Sequence, residues 1–194
     1  MIEIKQKATL DNGTVIDLNA KAFLVRSGMK GSMLGLDPKT WREILKEAWG
    51  NVGIFWHRQL LPKHFTKRGA TEYGYQKRVG ENMRGEKGFA RTYMGRKLRE
   101  KGHSRPLVFT GRMERAAKQT RDVRATSKGV TVVLTSLPRY AYQIAHPGDP
   151  NKAKELGTIS KQDAALMARV LDRELERLGN QRGGRTPSRT RGHR

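Results

Sequence analysis

The chain has 194 residues, with 40 Lys and Arg against 18 Asp and Glu, a formal net charge of +22. Only 36% of the residues are hydrophobic and none is Cys, which excludes disulfides, thiolate metal sites and a Cys nucleophile and leaves enough apolar material for one core plus extensions. Such a charge opposes compaction unless a polyanion supplies counter-charge, so nucleic acid, anionic lipid or an acidic protein surface is the expected neighbour.

In chain order, residues 1–20 read as a β-hairpin. Ile2 and Ile4 alternate with charged residues, Asp11-Asn12-Gly13 is a turn signal, and Val15, Ile16 and Leu18 form the return strand. A lone hairpin is marginal, so this one must pack on something, such as another subunit. Residues 27–36 are Gly-rich and read as a linker. A helix opens at Asp37-Pro38, an N-cap followed by a first-turn proline. Trp41, Ile44, Leu45, Ala48, Trp49, Val52, Phe55 and Trp56 give it a core-facing stripe at spacings of three and four. Pro62 is expected to stop it near residue 60.

Residues 63–105 hold thirteen Lys and Arg against four Glu, with Phe65, Tyr73, Tyr75, Phe89 and Tyr93 interleaved. This stretch reads as a long basic loop with a short helix near 90–100. Residues 113–126 read as a strand or short helix. Residues 130–135 are the best strand in the chain, reached through a turn at Lys128-Gly129 from a partner strand near 121–126. Residues 140–150 read as a loop. A last helix runs over 161–178, with Ser160 and Asp163 as a capping box, Met167, Val170, Leu171, Leu175 and Leu178 as its apolar face, and Gly179 as its end. Residues 180–194 carry Arg182, Arg185, Arg189, Arg191 and Arg194 and no acid. Alone, that tail lacks an apolar face to bury. No window reaches the roughly 18 apolar residues of a membrane span, and no membrane partner is expected.

Catalytic signals are sparse. The His residues show no metal-ligand spacing, and no metal or cofactor is expected. Gly80 and Gly85 have phosphate-loop spacing, but Glu86 stands where that loop needs Lys. The acids Glu3, Asp11, Asp17, Asp37, Glu114, Asp122, Asp149 and Asp163 are scattered and read as solvated surface or caps, not as a nuclease cluster. The basic segments suit phosphate neutralisation. Their aromatics suit base stacking or, in preference, anchoring to the core or to a neighbouring subunit.

Four features taken together resemble the phage tail-completion and head–tail joining proteins of the virion-morphogenesis, or neck, type. They are a helix over 38–60 leading to His64-Phe65; Tyr73-Gly74-Tyr75 with Arg78 and a basic stretch; Pro106-Leu-Val-Phe-Thr-Gly111; and Tyr140-Ala141 with His146 and Gly148, leading to Leu156-Gly157 and Ser160. The match covers about residues 38–178 and departs at Lys152-Ala-Lys-Glu155, where relatives carry an Arg-Pro-Phe-like stretch.

The resemblance implies an α+β subunit, a small antiparallel sheet flanked by two long amphipathic helices. Its parts are an N-terminal arm and linker (1–36), a neck domain (37–179) and a basic tail (180–194). It implies a ring, hexameric with a dodecamer as the alternative, that joins connector and tail-tube proteins at the virion neck and lets DNA through. It implies no catalysis and leaves tail terminator, stopper or another neck ring open. Arg78, Arg84, Lys87, Arg91, Arg96, Lys97, Arg99, Arg182, Arg185, Arg189 and Arg191 are the expected contacts to DNA or an acidic partner. Tyr73, Tyr75, Tyr140 and Tyr142 are the expected subunit contacts. A general RNA- or DNA-binding protein of ribosomal-protein character is the alternative, and a nuclease a remoter one.

Overall fold

The structure is a computed structural model that describes residues 8–9, 13–19, 36–78, 80–119, 121–142 and 151–183. Ile2, Ile4, the tip of the hairpin, nearly all of the linker, His146, Gly148 and the tail arginines 185, 189 and 191 lie outside the described residues. The chain mixes helices with an antiparallel sheet, as expected. Its strands are β1 (Ala8–Thr9), β2 (Gly13–Asn19), β3 (Asp122–Thr126) and β4 (Gly129–Leu134), in the order β1-β2-β4-β3. β3 and β4 form the expected hairpin, with Val123 opposite Val132 and Ala125 opposite Val130. The N-terminal hairpin packs on the chain's own sheet: β2 pairs with β4 from Thr14–Leu134 to Asn19–Gly129.

Helix α1 (Pro38–Phe55) begins where the Asp37 carboxylate accepts from the backbone N–H groups of Lys39 and Thr40 at 2.9 and 3.0 Å. Its stripe packs on β3, β4 and the long C-terminal helix α6 (Lys161–Gly183). Ile44, Trp49, Val52 and Trp56 join Val130, Val132 and Leu134 of the sheet and Met167, Leu171, Leu175 and Leu178 of α6 in one core. Gly53 marks the closest approach of helix and sheet. A Cβ there would sit 2.8 Å from Val130 Cγ2 and 3.0 Å from Val123 Cγ1.

Pro62 does not simply stop the helix. The backbone widens into a π turn over Trp56–Leu60, where Leu61 N–H donates to the Trp56 carbonyl, and then tightens into a 3-10 turn over Leu61–Phe65. Proline lacks the N–H an α-helix would need at that point, and this switch of pitch carries the chain past it while still turning. His57, buried in the π turn, donates from Nε2 to the Ala117 carbonyl at 2.8 Å.

The basic segment 63–105 is not one long loop. It contains α2 (Lys67–Glu72), 3-10 turns at Glu81–Met83 and Phe89–Arg91, and α3 (Tyr93–Lys101). Thr66 and Thr92 cap the two helices, each hydroxyl accepting a backbone N–H three residues on. Gly80 serves a turn: its φ is +87°, and a Cβ would lie 2.2 Å from Thr92 Oγ1. Leu107 at φ 54° is a strained residue in the Pro106–Gly111 segment. α4 (Arg112–Gln119) follows that segment, so residues 113–126 hold both a helix and a strand. α5 (Lys152–Leu156) was not visible in the sequence pattern. α6 runs through Gly179 to Gly183, because Gly179 is a buried position on the helix rather than its end.

Candidate anion-binding surface

Helix α3 separates two chemistries. Met94, Gly95 and Lys97 face inward, while Tyr93, Arg96, Arg99 and Lys101 are exposed. On its outer side Tyr93 and Phe109 lie with ring centroids 5.8 Å apart. Arg96 and Lys101 approach the Phe109 ring at 5.9 and 5.5 Å, within the range of cation–π attraction. Tyr140 and, on α4, Arg112 and Arg115 are exposed as well. Tyr93 and Tyr140 are 38% and 40% exposed, the large hydrophobic side chains most open to solvent among the described residues.

Arg84, Lys87, Arg91, Arg96 and Arg99 are exposed. None of them enters an ion pair among the described residues. They are thus available to an anion.

Three expected cationic contacts are differently placed. Lys97 is 2% exposed, and its ammonium donates inward to the Arg105 carbonyl. Burial, with Arg78 nearby, pulls its pKa down to about 8. Arg78 is nearly covered and pairs with Glu155, itself a buried acid. Arg182 spans α6 and α1, reaching Glu47 at 2.6 Å and Glu43 at 3.6 Å. Each is committed to the chain's own fold.

Behind α2 lies a buried polar cluster that pattern reading missed. Asp163, read as a cap or surface acid, is fully buried. Its Oδ2 accepts from the Tyr73 hydroxyl at 2.7 Å and its Oδ1 from Lys63 Nζ at 3.0 Å. Its backbone N–H donates to Ser160 Oγ at 3.1 Å, and Ser160 in turn donates to Glu72 at 2.9 Å. Only half of the expected capping box forms, because the Asp163 side chain turns inward to these partners.

Tyr73 is 6% exposed and stacks flat on His64 at 3.8 Å, which makes it an internal contact of this chain. Tyr75 hydrogen-bonds His64 Nδ1 at 2.5 Å. Tyr142 packs against the core at half burial. Burial lowers the His64 pKa to about 4 and raises both tyrosines, so at neutral pH the ring is uncharged and the phenols are protonated. His64 and Asp163 are sealed from solvent, so the cluster acts as a clamp between segment 63–78 and the start of α6.

The sequence signal for the clamp was present in Tyr73-Gly-Tyr75 following His64 at short range. Its partner Asp163 carried none, since its role depends on a contact ninety residues away. Among the described residues no group of three or more His, Asp or Glu is placed to hold a metal ion, and no helix is long and apolar enough to cross a membrane. No protein-family model, curated protein or solved structure matches the chain.

Proposed function

We propose that the chain is a structural subunit of a phage neck, which assembles into a ring between the head connector and the tail tube and leaves a passage for DNA. The observation that carries this reading is how the motifs fall on the fold. Pro106–Gly111 leads through α4 into the β3–β4 hairpin, and Leu156–Ser160 leads into α6. The motif order that suggests the family thus marks junctions of the fold. The exposed cations of segment 84–101 then face an acidic neighbouring ring or DNA, which relieves the self-repulsion of a +22 chain. The place of work is the virion neck, after synthesis in the host cytoplasm, and the subunit works by docking rather than by chemistry.

Native mass spectrometry across a concentration series, alone and with connector and tail-tube proteins, tests it. A closed symmetric oligomer, or one that forms on mixing, is the expected result. A monomer under all of these conditions would sink the proposal.

A second reading is nucleic-acid binding in its own right, favoured by the exposed Arg84, Lys87, Arg91, Arg96 and Arg99. It requires affinity that falls steeply with salt, as counterions are released from phosphates.

A further inference from the structure

We infer that Tyr93, Phe109 and Tyr140 form a stacking platform for unpaired bases, so that the polyanion this face takes is single-stranded nucleic acid. The inference rests on the second reading above and names its substrate class.

Three observations carry it. First, Tyr93 and Tyr140 leave more than a third of their surface in solvent, whereas Trp49 and Phe65 are buried in the core. Tyrosine suits such a site because its ring offers a flat apolar face. Second, the platform has a cationic rim. Arg96 and Lys101 lie over the Phe109 ring at 5.9 and 5.5 Å, and Arg112 and Arg115 of α4 are exposed. Alternating aromatic faces and cations match a strand whose bases and phosphates alternate. Third, the nearest acid of α4 is already committed, since Glu114 pairs with Lys118 at 2.6 Å and with Arg105 at 4.0 Å.

A duplex would engage the cations but keep its base faces stacked inside, leaving the tyrosines idle. An acidic peptide such as polyglutamate would neutralise the arginines but has no aromatic face to stack on the rings.

Fluorescence anisotropy on the full chain separates these cases, with four probes: labelled oligothymidylate, an abasic strand of equal length, a duplex, and polyglutamate. The oligothymidylate should bind more tightly than the abasic strand. Replacing Tyr93→Ala together with Tyr140→Ala should weaken it about tenfold or more and leave the abasic strand unchanged. Tyr93→Phe with Tyr140→Phe should restore binding, which separates stacking from a folding defect. Arg96→Ala with Lys101→Ala should weaken both strands and flatten the salt dependence. Equal binding of oligothymidylate and abasic strand, or silent alanine variants, overturns the platform while leaving general nucleic-acid binding standing. Failure of every nucleic-acid probe, or equal binding of polyglutamate, overturns both.

Discussion

Tyr73 and Asp163 are ninety positions apart in the chain and 2.7 Å apart in space, joined by a buried phenol–carboxylate hydrogen bond. That bond closes the basic segment onto the start of α6. Removing the hydroxyl in Tyr73→Phe keeps the stack on His64 but takes a donor from a fully buried carboxylate. Hydrogen bonds to charged groups contribute about 1.5–3 kcal/mol, so Tyr73→Phe should lose that much in a urea melt, with an unchanged denaturant slope. A loss below a few tenths would show that water takes the hydroxyl's place.

The same cluster makes stability depend on pH. His64 titrates at about 4 when folded, against 6.5 for the free side chain. The unfolded chain therefore binds the proton first. The contribution of neutral His64 is complete above pH 6.5 and is lost as pH falls from 6.5 towards 4. At full size it is about 3 kcal/mol. The groups facing the ring are Tyr73, Tyr75, Lys63, the Asp163 carboxylate and the Glu155 carbonyl. Denaturant melts between pH 4 and 7 should slope less for His64→Gln than for the native chain; equal slopes would refute the assignment.

Two glycines of α1 should respond with opposite sign. A Cβ on Gly50 would meet Ala125 Cβ at an ordinary 3.8 Å, whereas one on Gly53 would press on three stiff valines of the sheet. Gly50→Ala should gain about 0.5–1 kcal/mol from helix propensity. Gly53→Ala should lose about 1–3 kcal/mol through overpacking. Thermal melts of the two variants check this, and a stabilised Gly53→Ala would mean that helix and sheet separate easily.

Ion pairs of α6 and of the basic segment should differ in weight. Arg182 pairs with Glu43 and Glu47 in the open, where such contacts contribute about 0–1 kcal/mol. Arg78 and Glu155 are nearly covered, so Arg78→Ala strands a buried carboxylate at a cost of about 3–5 kcal/mol. Measured at low and high salt, only the Arg182→Ala effect should fade with screening. Equal losses in the two variants would contradict the burial difference.

What the sequence alone determined is what local periodicity and turn chemistry encode. The Asp37 cap, the stripe of α1, the β3–β4 hairpin and the apolar face of α6 were all legible, because each depends on residues within a few turns of one another. The cationic excess was equally plain. Only the tertiary structure decided which cations are free. Lys97 and Arg99 sit two residues apart on one short helix, yet one is buried and the other open, since their directions differ by more than half a turn of the helix. Asp163 and Glu155 were unreadable as buried acids for the same reason. A charged side chain's energy is set by what packs over it, and for both of these acids that cover arrives from a segment some eighty to ninety residues earlier in the chain.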